Sequence, residues 1–246
     1  DQHAAYSSRG HFADLRAYDE ADDTFSFDDI YPELIKTTHY DSTDEGIWFM
    51  PRDYNKVVTF VNKTMLSYVP GENGQMYAGY GSFEALKDAW SLETFYEVCA
   101  AVKAKVDANA ANPSAVPQEE KLAGLIKNTY AVDARYNWYP AYEPILRHYG
   151  GSMIDLSKTG TGEKPDYENM LSVDSDDTMK AYRSFYENLA KTGYVKQSLS
   201  STGVAAFPNS QAAFWFTTRP SWGDINAVNA TFEVDFLPFP YDYVGV

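Results

Sequence analysis

The sequence predicts an α/β fold. Helical-period stretches alternate with short β-branched or aromatic runs, as in a sheet flanked by helices. The clearest helix runs over 174–192, and a second starts after Ser91. The clearest strands are 57–61 and 212–216. The chain has 246 residues, 44% of them hydrophobic, so one large domain or two modest ones can bury a core. At 16% aromatic the composition is not that of a disordered chain.

Taken in order, Phe12, Leu15 and Tyr18 recur at a helical interval and predict a short amphipathic turn. Ile30, Leu34 and Ile35 share a helical face within an acidic stretch. Residues 47–50 and 57–61 read as strands, interrupted by Pro51-Arg52-Asp53-Tyr54-Asn55. A proline followed by a polar cluster is costly inside one sheet, so the break marks a loop or a passage between two bodies. The stretch 71–81 is glycine-rich and reads as a loop.

Ser91 is a candidate N-cap, with Phe95, Val98, Cys99, Val102 and Val106 as the buried stripe behind it. Residues 108–120 read as a loop and 121–131 as holding a short strand. A helix over 142–149 stops at Gly150-Gly151. A short strand is expected over 153–156, before a turn-rich excursion. In the 174–192 helix, acidic residues lead, and Met179, Tyr182, Phe185, Tyr186 and Leu189 are the expected buried face. A helix over 221–230 and a strand over 232–239 complete the pattern.

The formal charge of −15 argues against a nucleic-acid partner and against an anionic membrane surface. No apolar run reaches the roughly 18 residues of a transmembrane helix. The opening residues have no signal-peptide pattern, and the single cysteine, Cys99, supports neither an intrachain disulfide nor a multi-thiolate metal site. No phosphate-loop, dinucleotide, zinc-protease or serine-hydrolase motif is present. The four histidines are scattered, and His148 is expected at a helix end. The acidic stretches 41–46 and 174–177 only superficially resemble calcium loops, so neither a metal nor a cofactor is expected.

Aromatic residues cluster instead where elements should end. Tyr136-Asn137-Trp138-Tyr139-Pro140-Ala141-Tyr142 and Phe214 to Trp222 set rings beside Arg135, Asn137, Thr218, Arg219 and Asn226. Flat rings next to hydrogen-bonding side chains suit a sugar, whose C–H faces stack while its hydroxyls need paired donors and acceptors. A plain core role is the alternative for Trp138, Trp215 and Phe216.

Six segments, in order, resemble the family 1 extracellular solute-binding proteins of bacterial ABC importers, the maltose-binding-protein-like group. They are GHFADLRAY, EGIWFMPRDYNKVVTFVNKTML, FEALKDAWSLETFYEVCAAV, YEPILRHYGGSMID, AFPNSQAAFWFTTRPSW and VDFLPFP. The fifth departs from the family pattern, since 207–213 lacks the usual Gly-Lys pair. The family's first and last segments have no counterpart here, so an internal piece of a member is expected.

The resemblance implies a type II periplasmic-binding-protein-like fold, with most of the C-terminal lobe and part of the N-terminal lobe. It places an N-lobe segment at 1–50, a hinge crossing at 51–56, the C-lobe at 57–240 and the start of a second crossing at 241–246. It implies a non-catalytic receptor that holds a sugar or oligosaccharide in an interlobe cleft. The ligand-binding residues it implies are Tyr54, Asn55, Arg135, Tyr136, Asn137, Trp138, Arg219 and Trp222. The partners it implies are a carbohydrate and the membrane permease subunits, with the receptor a monomer outside the membrane, either lipid-anchored or periplasmic. A glycoside-active α/β enzyme and a receptor for a non-sugar solute are the alternatives. A glycosidase would need two carboxylates at a set separation across a cleft, and no pair stands out in the sequence.

Overall fold

The structure, a computed structural model, describes residues 3–40, 44–51, 56–134, 139–154, 171–195, 206–228 and 230–241. The described residues fall into two compact units, 3–51 in one and 56–154 with 171–241 in the other.

The smaller unit contains α1 (His3–Ser7), α2 (Arg16–Asp19) and α3 (Pro32–Lys36). Pro32 opens α3 at a position where its missing N–H costs nothing. The expected amphipathic face over 12–18 does not form: α2 is a single turn that buries nothing, and Phe12 and Tyr18 are exposed. Nor are residues 47–50 a strand. Ile47 accepts from the Leu15 N–H at 2.8 Å and donates to the Asp14 carboxylate at 3.3 Å, an exchange too short to make a ladder. Hydrogen bonding from the Arg16 guanidinium holds the Asp14 carboxyl down to about 2. Burial pushes the Asp44 carboxyl up, but donors from Gly46, Tyr40 and the Trp48 indole outweigh it and leave the group below its usual value. Both Asp44 oxygens are thus engaged by protein donors.

The larger unit is built on four strands, β1 (Val58–Asn62), β2 (Tyr130–Asp133), β3 (Ala212–Thr217) and β4 (Val234–Leu237). Their order is β2-β3-β1-β4, with β2 parallel to β3 and β1 antiparallel to both β3 and β4. Its helices are α4 (Lys63–Leu66), α5 (Phe83–Asp88), α6 (Leu92–Ala111), α7 (Gln118–Leu122), α8 (Tyr139–His148), α9 (Asp176–Phe185) and α10 (Trp222–Ala227). The fold class is α/β, as expected.

In α6 the Ser91 hydroxyl accepts from the Thr94 N–H, and all five residues of the expected stripe are buried. The helix runs on to Ala111, into what reads as a loop. The alanines there favour helix, and the Asn109 amide is buried by donating to Glu120 at 3.0 Å and to the Leu125 carbonyl at 2.8 Å. The strand expected over 121–131 is confined to β2, because α7 and the turn at Gly124 take the first part. α8 ends as predicted: Gly150 adopts φ +77° and the Gly151 N–H returns to the Leu146 carbonyl. The strand expected over 153–156 is only a single bridge, Ile154 to Leu171.

α9 and the turn after it bury part of the expected face, Phe185 and Leu189, with Tyr182 half-buried against the core. Thr178 and Ala181 are also inside, while Met179 is 37% exposed and Tyr186 60%. The Thr178 hydroxyl accepts from the Ser152 N–H and donates to the Ser152 carbonyl, which turns Thr178 inward, and a π-turn over Tyr186–Ala190 follows with Leu189 buried. β4 is shorter than predicted, since Pro238 and Pro240 cannot donate to a ladder.

Alternation along the strands gives the sheet two apolar faces. Val61, Phe214, Phe216, Val132 and Leu237 pack in the larger cluster with the α6 stripe and with residues of α8 and α9. Phe60 and Trp215, which face each other across β1 and β3, join Phe207 and Ile225 on the other face. Trp215 and Phe216 are therefore core residues, which decides the alternative left open for them. Trp138 lies outside the described residues.

Candidate functional site

The register of the strands brings four chain segments to one end of the sheet. Thr217, the last residue of β3, faces Val58, the first of β1. Asp133, the last of β2, stands beside Trp215 in the parallel pair, and Leu237 at the end of β4 faces Thr59. The entry to β1 and the exits of β2, β3 and β4 thus share one edge. In open α/β sheets ligands bind outside strand ends of this kind.

Six expected site residues, Tyr54, Asn55, Arg135, Tyr136, Asn137 and Trp138, lie outside the described residues. The other two follow β3. Thr217 Oγ1 and Ser221 Oγ are 2.6 Å apart, closing a tight 3₁₀ turn over Arg219–Ser221. This turn leaves Arg219 exposed at the sheet end, and its side chain forms no ion pair among the described residues.

Trp222 goes elsewhere. As the first residue of α10 it folds back over the sheet, with its ring centroid 6.3 Å from Phe60 and 5.8 Å from Phe236. Its remaining surface is 40% exposed and borders a cavity of about 390 Å³ lined by Trp222, Ile225, Asn226, Ala230, Phe232 and Val234. That volume is at the small end for ligand pockets. Arg219 and Trp222, three residues apart, therefore point to two places, the sheet end and the flank of β4.

Two supports of the sheet end were not visible in the sequence. The buried Asp133 carboxylate accepts from the backbone N–H groups of Ala206 and Phe207, fixing the exit of β2 to the turn that leads into β3. The Pro238 carbonyl accepts from Thr59 Oγ1 at 3.2 Å and from the Trp90 indole at 2.9 Å. Beyond it, Tyr241 shares a 2.7 Å hydrogen bond with Tyr96, and burial pushes the Tyr241 phenol up. Neither Asp133 nor Pro238 has a local signal, because their partners lie far away along the chain.

Asp133→Ala is expected to cost about 2–3 kcal/mol in urea unfolding, because two buried N–H groups lose their acceptor. Asp133→Asn keeps an acceptor oxygen and should cost less than half of that. Equal costs for the two variants would contradict the assignment.

Among the described residues no group of three His, Cys, Asp or Glu side chains is placed to hold a metal ion. No described helix is long and apolar enough to cross a membrane. His148 lies in the last turn of α8, edge-on to Tyr149 and Tyr241.

No family model matches the chain, and no curated protein matches it. Solved structures do. The ABC substrate-binding protein Lmo0181 from Listeria monocytogenes, solved in complex with cycloalternan, superposes with a TM-score of 0.55 at 15% identity, over 96% of this chain and 49% of that one. UgpB from Mycobacterium tuberculosis, solved in complex with glycerophosphocholine, gives 0.58 at 14% identity, over 97% of this chain and 50% of that one. The chain thus has the periplasmic-binding-protein-like fold of ABC substrate-binding proteins and spans about half the length of these two.

Proposed function

We propose that the whole protein is the substrate-binding component of an ABC importer and binds a sugar or oligosaccharide without catalysis. The observation that carries this reading is the meeting of the β1 entry and the β2, β3 and β4 exits at one end of the sheet. The expected ligand residues are in, or directly continue, three of those segments. Tyr54, Tyr136 and Trp138 would stack on sugar rings, and Asn55, Arg135, Asn137 and Arg219 would pair with hydroxyls; Trp222, on the flank of β4, would stack only on a ligand long enough to reach that flank. The fold shared with Lmo0181 and UgpB supports the receptor role.

In this proposal residues 1–50 belong to the N-lobe, 51–56 are a crossing, 57–240 are the C-lobe and 241–246 begin a second crossing. The sheet end supplies part of the ligand site of the whole protein. The receptor is a monomer that works outside the membrane, lipid-anchored or periplasmic, and delivers its ligand to the permease subunits.

A non-sugar, anionic solute is the second reading. It is favoured by Arg219, exposed at the sheet end and without an ion-pair partner among the described residues. The glycerophosphocholine bound to UgpB is a zwitterion whose phosphodiester is the kind of anionic group a guanidinium pairs with.

Trp138→Ala tests the sugar reading in the whole protein. Loss of a stacking ring at the centre of a site is worth about 2 kcal/mol, roughly a thirtyfold rise in Kd for an oligosaccharide. An unchanged Kd with an unchanged circular dichroism spectrum would remove Trp138 from the site.

A further inference from the structure

We draw no further inference here: the strongest candidate, the open groove of about 830 Å³ between the 70–81 loop and α6, is lined by small side chains, Asn73, Tyr80 and the carboxylates of Glu72 and Glu97, and nothing in the structure shows what covers it.

Discussion

Phe60→Ala is expected to lower the unfolding free energy by about 3–5 kcal/mol, the usual cost of emptying a large buried aromatic site. Phe60 is fully buried on β1, one of the two central strands. Four rings surround it, with centroids at 4.5 Å for Phe236, 5.7 Å for Trp215, 6.2 Å for Phe207 and 6.3 Å for Trp222. These belong to β4, β3, the turn before β3 and α10, and such large rings collapse poorly into a vacated space. The natural control is Phe236→Ala, at a residue already 41% exposed, which should cost well under half as much. Urea midpoints for the two variants test the comparison. A Phe236→Ala cost equal to that of Phe60→Ala would mean that the flank of β4 is not laid out as described.

Gly124→Ala is the second large effect, at about 3 kcal/mol or more. Gly124 holds φ +86°, where an added Cβ is strained in itself. That Cβ would also lie 1.7 Å from the Ser210 carbonyl oxygen, so the backbone must move. Several contacts depend on this close approach. The Gly124 carbonyl accepts from Thr129 Oγ1, Ser210 Oγ donates to the Ala123 carbonyl, and the Tyr130 N–H donates to the Gln211 carbonyl. Together they align the starts of β2 and β3, and through them the exits of both strands at the candidate site. Gly74→Ala separates strain from crowding. Gly74 has φ +74° but nothing within 4 Å of an added Cβ, so about 1 kcal/mol is expected there. Similar losses at the two glycines would contradict the account of Gly124.

What could be read from the sequence depended on whether the relevant forces were local. The α6 stripe was legible because the Ser91 cap and a helical apolar period agree over several turns. β3 was legible because a strand buried on both faces is a continuous apolar run, and all six of its residues are buried. Residues 47–50 carry the same kind of signal but form no strand; Ile47 instead accepts from the Leu15 N–H and donates to the Asp14 carboxylate. α9 was legible, and with it the burial of Phe185 and Leu189, but the burial of Thr178 was not, since Ser152, which holds its hydroxyl, is outside the helix. At the site, the turn after β3 was expected and Arg219 stands at the sheet end. The direction of the Trp222 ring was not legible, because the rings that hold it, Phe60 and Phe236, come from opposite ends of the unit's sequence. Asp133 was missed for the same reason. A strand-terminal aspartate says nothing by itself about two N–H groups more than 70 residues away.

The most direct test of the receptor reading is calorimetric titration of the whole protein with neutral oligosaccharides and, in parallel, a glycerophosphodiester. The proposal predicts saturable heat and a micromolar or tighter Kd for at least one oligosaccharide, with no turnover of the sugar afterwards. Binding of the glycerophosphodiester alone, lost in Arg219→Ala, would replace the sugar with an anionic solute. Absence of binding to any such solute, or cleavage of the sugar during the titration, would contradict the account.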